Sequence, residues 1–462
     1  MSEVSRRDML KGAALAGAGL AASGAFTRGI AEDISAIAHP DQQPAAPKSR
    51  KTMKGVPFER TANVRVGIVG TGLRGRSVLN ELLGVDGVTI VAICDTVPDK
   101  LARATKMITD KGQAAPATYT GSDHAYEQLV ARTDLDIVYT ATPWEYHVPV
   151  MLAALAHGHH AASECPFGTT LKDLWALVDA SEKARKHCLH LENCNYGYTE
   201  MMVNRMVHEG VFGEVLHAEA AYLHDLRGIL NEGRDEGLWR RAWHTRANAN
   251  LYPTHGLGPV SWYLDVHQGD RYDYMVSVSG PERGLSMYRE ETVKDKADPK
   301  WKEQYITGDM NTSILKTVKG KTVMLQHDVS NARPYTRHNR VLGTKGTFED
   351  YPPRIYIEGK SQKEQFYPID DWKKDFEHPL WTRVGDKARS GGHGGMDYVM
   401  RWRIVQCLRE GRPLDQSVYD GCAWSVIGPL SEQSVAQGGM PIEVPDFTRG
   451  AWQTAAPVDI KV

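Results

Sequence analysis

A chain of 462 residues exceeds what one compact core usually supports, so two domains are expected. Apolar residues make up 41% and charged residues 24%, which is ordinary for a soluble globular protein. The formal net charge of -2 leaves no basic footprint, which argues against nucleic acid as a partner.

In chain order, the first segment differs in kind from the rest. Ser5-Arg6-Arg7-Asp8-Met9-Leu10-Lys11 carries paired arginines, and the run from Gly12 to Phe26 is almost wholly Ala, Gly and Leu. This reads as a Tat signal peptide over residues 1–32, with the Tat export machinery as a partner and a periplasmic or secreted destination. As a membrane anchor the run is short and weakly hydrophobic, and no later segment approaches about 18 uninterrupted apolar residues, so no membrane span is expected in the mature form. Tat carries folded cargo, so a dinucleotide bound before export could travel inside the protein. Residues 33–60, with Pro40, Pro44, Pro47 and a basic stretch from Lys48 to Lys54, read as a linker.

Order is expected from about residue 61. Val64 to Val69 is an apolar strand running straight into glycines, and Val88 to Cys94 is a second strand ending on Asp95. Helical patterns follow near 97–109 and 122–132, then a β-branched strand from Asp136 to Thr142. His147 to His157 reads as helix, His160 to Ser163 as strand and Leu171 to His187 as helix. This alternation predicts a doubly wound parallel sheet over 61–195. Beyond it, strand candidates at 214–223, 272–279, 309–317 and 321–329 predict an α+β domain with a mostly antiparallel sheet over 196–452. A helix at about 396–410 is expected to pack back on the first domain. By fold analogy, an exposed face of the second sheet points to a homo-oligomer.

The six cysteines, Cys94, Cys165, Cys188, Cys194, Cys407 and Cys422, form no C-x-x-C pair, no zinc-like spacing and no disulfide framework. They read mainly as buried thiols. His157, His159 and His160 cluster at a helix-to-strand junction and read as structural, so no metal is expected.

Gly70-Thr71-Gly72-Leu73-Arg74-Gly75 is a G-x-G-x-x-G loop between a strand and an apolar helix pattern, with Asp95 twenty residues after Gly75. Gly70 and Gly72 permit a tight turn and close approach to a pyrophosphate, Gly75 permits close helix packing, and the helix N-terminus faces the negative charge. A carboxylate at Asp95 suits ribose hydroxyls and repels a 2′-phosphate, which favours NAD over NADP; Arg74 could instead accept that phosphate. The alternative is a Rossmann-like core without nucleotide.

Ligands in such sheets lie beyond the carboxyl ends of the strands, where Trp144, His147, Glu164, Cys165, Pro166 and Asn193 are expected. Glu164-Cys165-Pro166, one strand after Trp144-Glu145-Tyr146-His147, resembles the oxidoreductases that include glucose-fructose oxidoreductase and inositol dehydrogenase. Their tripeptide is usually Glu-Lys-Pro, whose lysine assists hydride transfer; Cys165 departs from it. Leu191-Glu192-Asn193-Cys194-Asn195-Tyr196, Tyr222-Leu223-His224-Asp225-Leu226-Arg227, Leu251 to Pro259 and Asn331 to Arg340 look like glycoside hydrolase family 109, which belongs to the same Gfo/Idh/MocA superfamily. That resemblance covers about 61–452, and its members tolerate a residue other than lysine at the Cys165 position.

The resemblance implies an NAD-dependent glycosidase acting on a terminal α-linked N-acetylgalactosamine or a related sugar within a glycan or glycoside. Its redox route passes through C3 oxidation, C1–C2 elimination, water addition and re-reduction, an exception to the two-carboxylate scheme. It implies that Leu73, Arg74, Asp95, Trp144, His147, Glu164, Cys165 and Asn193 line the NAD site. It also makes His255 the leading base, with Tyr252 and Tyr196 orienting or relaying protons, and Tyr222, Arg240, Tyr252, Pro253, Thr254, His255 and Tyr335 at the sugar. Trp239, Trp243 and His244, among Arg234, Arg240, Arg241 and Arg246, read either as a sugar-binding loop or as a solvated face. The rival functional reading is an exported NAD(P)-dependent sugar oxidoreductase of the glucose-fructose oxidoreductase type, and a second is a sugar-binding module without catalysis.

Overall fold

The apolar run Val64–Val69 becomes the centre of a six-stranded parallel sheet because nearly every side chain in it is buried on one face or the other. A computed structural model describes residues 51–457 except Ser390, together with Ile460. The expected signal peptide, and residues 33–50 of the expected linker, lie outside the described residues.

The first sheet contains β1 (Val64–Val69), β2 (Val88–Cys94), β3 (Ala117–Tyr119), β4 (Ile137–Thr140), β5 (His160–Ser163) and β6 (Cys188–His190), in the order β3-β2-β1-β4-β5-β6. Helices α1 (Leu73–Leu82), α2 (Pro98–Asp110), α3 (Tyr126–Val130), α4 (Trp144–Ala156) and α5 (Leu171–Ala184) make the crossovers. The strand order reverses between β1 and β4, so the switch point of this doubly wound sheet lies just beyond Val69 and Thr140.

Nine strands form the second sheet: β7 (Val215–Leu223), β8 (Tyr272–Ser279), β9 (Asn311–Thr317), β10 (Thr322–Asp328), β11 (Arg340–Gly343), β12 (Gly346–Glu349), β13 (Arg354–Ile357), β14 (Tyr367–Pro368) and β15 (Ile442–Glu443). Their order is β14-β13-β12-β11-β7-β10-β9-β8-β15, and only the β7–β10 pair is parallel among the described pairs. The fold is thus the expected parallel α/β sheet followed by a mostly antiparallel one.

One continuous apolar core runs from β1 through to the second sheet. A separate small cluster of Tyr222, Leu226, Leu230, Leu285, Tyr305 and Val329 sits at the end of β7. The helix Met396–Glu410 lies against α1 and β1 and buries Asp397 and Arg401 completely. Residues 51–60, expected as the end of a linker, are instead packed: Met53 and Phe58 are buried, and the Phe58 N–H donates to Arg412 O at 3.1 Å. Composition suggested a free chain there, but two apolar side chains suffice to dock it.

The six cysteines are buried free thiols. His159 places Nδ1 against Leu135 O at 3.0 Å and Nε2 against Val130 O at 2.9 Å, and His160 Nδ1 accepts from the His187 N–H at 2.9 Å. Those histidines brace a chain crossing. No helix among the described residues is long and apolar enough to cross a membrane.

Candidate active site

The glycine loop leaves β1 at Gly70, whose φ of 87° is the left-handed region that suits glycine. A Cβ at Gly70 would lie 2.7 Å from Ala141 O beyond β4, and one at Gly75 would collide with the Gly70 carbonyl. Gly72 is different: the nearest atom to a Cβ there is Lys100 Nζ at 3.8 Å, so the crowding comes from neither chain nor core. Gly72 is the N-cap of α1 and makes no side-chain cap, which leaves the first N–H groups of a ten-residue helix open. An open N-terminus beside a bare glycine is what a pyrophosphate needs, so the residues present fit a dinucleotide.

Asp95 braces this loop. Its Oδ2 accepts from the Thr71 N–H at 2.7 Å and the Thr71 hydroxyl at 3.1 Å, and Oδ1 accepts from the Val97 N–H at 2.9 Å. Asp95→Ala should therefore weaken NAD retention, by roughly 10-fold for a lost charge-assisted bond, and narrow the preference over NADP. Titrating both cofactors onto stripped protein measures the two effects; unchanged affinities would mean the carboxylate neither braces the loop nor meets the ribose.

Arg74 is held between two carboxylates. Its Nε pairs with Glu164 Oε2 at 3.0 Å and its Nη1 with Asp397 Oδ2 at 2.7 Å. Asp397 also accepts from Asn193 Nδ2 at 2.5 Å and faces His393 Nδ1 at 2.7 Å, while Arg401 Nη2 donates to the other Glu164 oxygen at 2.7 Å. Burial opposes charge on Asp397, but His393 and Arg74 hold its carboxyl far below the usual range.

Glu81 is the weak member of this network. Burial, only partly offset by Arg401 and reinforced by Asp397, pushes its carboxyl from 4.5 to about 7. The folded chain therefore holds a proton that the unfolded chain releases. The stabilisation is complete below the ordinary carboxylate range and is lost as pH rises through about 7. The loss should reach up to about 3 kcal/mol between pH 5 and 8 and flatten in Glu81→Gln, measured by denaturant unfolding at both pH values. Parallel pH dependence in the variant would assign the effect elsewhere.

Beyond the carboxyl ends of β1, β4 and β5 lies a cavity of about 680 Å³. Its wall includes Gly70, Gly72, Leu73, Arg74, Asp95, Trp144, His147, Glu164, Cys165 and Asn193, the set expected for the cofactor apart from Gly75, which packs behind the loop. Leu73 is 63% exposed, an open apolar surface facing this space. His147 lines the wall, but its ring nitrogens face Pro166 O at 2.7 Å and Thr142 O at 3.0 Å, so it braces two loops. Cys165 is buried, and burial together with the Glu192 charge pushes its thiol well up, so it is a neutral group where a lysine was the usual expectation.

The same cavity is lined by Tyr222, Arg240, Tyr252 and His255. His255 is the second residue of the helix Thr254–Tyr263, whose glycines let it lie close to neighbouring backbone. A Cβ at Gly256 would come within 2.5 Å of Ala221 N, and one at Gly258 within 2.8 Å of Glu192 Cγ. This approach brings His255 Nδ1 to 2.8 Å from Glu192 Oε1. Glu192 has no exposed surface; burial works against its charge, yet His255 and His190 hold its carboxyl below the usual range. An ionised, acceptor-only Glu192 receives the Nδ1–H, which leaves Nε2 as the acceptor, with no hydrogen bond to the described residues.

Aromatic rings frame that imidazole. The Tyr252 centroid lies 4.8 Å from His255 and the Tyr222 centroid 5.5 Å. Burial, with Cys165 and Tyr222 nearby, pushes the Tyr252 phenol well up, so it can donate a hydrogen bond as a neutral phenol. Arg240 sits over Trp144 at 5.5 Å and Tyr252 at 5.0 Å. The helix Glu236–Trp243 closes one side: Trp239 and Trp243 pack on Trp144 at 5.4 and 5.6 Å, and Lys100–Asp235 (3.3 Å) and Arg246–Glu145 (3.0 Å) tie its flanks to the first domain. The stretch is therefore a cavity wall around Trp239 and Arg240, not merely a solvated face.

Three expectations are corrected. Tyr196 is buried away from the cavity and donates to Asp415 Oδ2 at 3.1 Å, beside an Arg403–Asp415 pair, so it is structural. Pro253 and Thr254 are buried where the helix begins and lie off the wall. Tyr335 belongs to a neighbouring depression, although its ring comes within 6.1 Å of Tyr222 and 4.9 Å of His224. Sequence reasoning gave no role to Glu192, His224, His393 or Asp397. The only local signal was the pair of glycines at 256 and 258, costly in a helix unless another backbone must come close.

Donor types for a metal also meet here: Cys165, His190 and Glu192 lie within 4.8 Å of one another, as do Glu192, Cys194 and His255. Burial keeps both thiols protonated, and Glu192 is already engaged by His255, so the arrangement favours hydrogen bonding over metal binding.

Comparison with known proteins matches the two parts of the chain separately. Residues 196–454 match the glycosyl hydrolase 109 C-terminal domain, and residues 64–191 match the NAD-binding Rossmann fold of an oxidoreductase family. The chain is 48% identical to a glycosyl hydrolase family 109 protein of Solibacter usitatus strain Ellin6076, covering 99% of this chain and 100% of that one. It is 44% identical to one of Shewanella baltica strain OS185, covering 100% and 99%. Levoglucosan dehydrogenase in complex with NADH shares the fold at TM-score 0.65 and 18% identity, covering 83% of this chain and 100% of that one. The scyllo-inositol dehydrogenase of Lactobacillus casei does so at 0.59 and 14%, covering 83% and 99%.

Proposed function

This chain belongs to glycosyl hydrolase family 109, built on an NAD-binding Rossmann domain, and from that premise we propose that it is an exported glycosidase that releases terminal α-linked N-acetylgalactosamine or a closely related sugar. The observation that carries the reading is the shared cavity: His255, oriented by Glu192, opens onto the same space as the cofactor wall of Trp144, Glu164 and Cys165.

Bound NAD would supply a reversible hydride acceptor for C3 of the sugar, which makes the neighbouring C2 hydrogen acidic enough for elimination of the C1 substituent. The residues do the rest. Gly70, Gly72 and the open end of α1 would hold its phosphates and Asp95 would meet a ribose, while Arg74, Glu164 and Asn193 line the same cavity. His255 Nε2 takes a proton from the sugar, and the Glu192 charge steadies the imidazolium that results. Tyr222 and Tyr252 offer neutral phenols, and Arg240 packs against Trp144 and Tyr252 over the sugar side. Trp239 and Trp243 pack on Trp144 and narrow the cavity on this side. Export is supported by the paired Arg6-Arg7 and the small-residue run that follows.

The test is hydrolysis of an aryl α-N-acetylgalactosaminide by purified protein in heavy water with no NAD added. Aryl release with deuterium at C2 of the freed sugar is expected. Release without deuterium and without C2 or C3 isotope effects would overturn the redox route. No release from a panel of related glycosides, with an oxidised sugar accumulating instead, would transfer the protein to the exported oxidoreductases.

A further inference from the structure

Beside the main cavity, a second depression of about 380 Å³ opens between the β10–β11 connection and the segment after β12. Its walls include Tyr335, Tyr351, Arg333, Arg354, Glu349 and Asp350. Tyr335 stands at the border: its ring lies 6.1 Å from Tyr222 of the main cavity and 5.9 Å from Tyr351 of the second. Tyr335 and Tyr351 are both more than a third exposed, unlike Tyr222 and Tyr252 around His255.

The backbone here is costly. His338, Asn339 and Tyr351 take φ of 57°, 48° and 67°, and a left-handed tyrosine is rare enough to need a cause. The surroundings hold it in place. Arg337 Nε donates to the Tyr351 hydroxyl at 2.8 Å, and its Nη2 donates to buried Glu200 at 2.5 Å. A bridge between Leu223 and Thr336 fastens the connection to the end of β7, next to Tyr222. Strain maintained by so many contacts presents the Tyr351 ring to the depression.

The charges specify the ligand class. Arg333 pairs with Asp328 at 3.2 Å, Arg340 with Glu219 at 2.7 Å and with Glu349, and Arg354 with Glu349. Among the described residues each of these arginines has a carboxylate partner, so none is left over to demand an anion. Forked guanidinium and carboxylate groups beside exposed aromatic faces suit a neutral ring bearing vicinal hydroxyls and apolar C–H faces.

We propose that this depression is an aglycone subsite, holding the penultimate neutral sugar of a glycan whose terminal residue occupies the main cavity across Tyr335. The inference rests on the glycosidase reading above. It gives the enzyme a preference for oligosaccharides over simple glycosides.

Two variants test it, Tyr351→Ala and the solvent-facing Arg354→Ala, each assayed on an aryl α-N-acetylgalactosaminide and on a neutral trisaccharide ending in that sugar. We expect kcat/KM on the trisaccharide to fall roughly 10- to 100-fold in Tyr351→Ala, mostly through KM, with aryl hydrolysis within about twofold of wild type. Arg354→Ala should lower the trisaccharide value alone by a smaller factor and keeps the test alive if the first variant misfolds. Equal loss on both substrates, or loss on neither, overturns the proposal. Binding of lactose, maltose and cellobiose, followed by saturation-transfer NMR, separates the two readings. Binding that Tyr351→Ala removes sustains the subsite even if hydrolysis fails and the glycosidase reading falls with it. No binding of any of the three, or binding only of a sialylated analogue, overturns the neutral subsite.

Discussion

His255→Ala should lower hydrolysis by roughly 100- to 10,000-fold, the range for removal of a positioned general base, while the protein keeps its NAD. The residue lies on the cavity wall beside Tyr222 and Tyr252 and makes its hydrogen bond to Glu192, not to the glycine loop, so cofactor retention has no reason to fall. Glu192→Gln is the sharper companion. It preserves shape but removes the negative charge that steadies the imidazolium formed during turnover, so kcat should drop by a smaller factor with KM little changed. Turnover at saturating and limiting substrate, with retained NAD measured on the same samples, checks both variants. Near wild-type turnover in His255→Ala would end its role as base; wild-type turnover in Glu192→Gln would reduce Glu192 to a packing group.

Asp397→Ala should affect stability and cofactor together. Its carboxylate has no exposed surface and is the shared acceptor for Arg74, Asn193 and His393. Removing one member of a buried charge network typically costs about 3–5 kcal/mol, because the partner charge is left without its counterion. Arg74 would keep Glu164 alone, and both Arg74 and Asn193 line the NAD cavity. Purified variant should therefore unfold at clearly lower denaturant concentration and carry less than stoichiometric NAD. Asp397→Asn, which keeps the acceptor from Asn193 or Arg74 but loses the charge, should fall between. Wild-type stability with full NAD content in Asp397→Ala would show that the network is dispensable.

Much of the cofactor half was legible because its rules are local. A strand buried on both faces reads as an apolar run, and glycines after such a strand have few other uses. The strand from Val215 to Leu223 and the helix from Met396 to Glu410 were readable from periodicity within a residue or two. The sugar half resisted for a definite reason. Glu192 and His255 are 63 residues apart, and nothing in their spacing pairs them. Tyr196 looked equivalent to Tyr252 in sequence, yet one phenol is spent on Asp415 and the other lines the cavity. In sequence Arg74 read as an alternative acceptor for a 2′-phosphate because it lies in the glycine loop, whereas its side chain is long enough to leave that loop and join Asp397.

By itself, then, the sequence determined the two sheets, the dinucleotide loop and the residue types from which a base could be drawn, because periodicity and glycine placement act over a few neighbouring residues. Tertiary structure alone decided which histidine is held by a buried carboxylate, which tyrosines are structural and which arginine is tied to Asp397. Those outcomes depend on how closely the helix Thr254–Tyr263 and the helix Met396–Glu410 approach the strand ends, a distance set by packing across hundreds of residues.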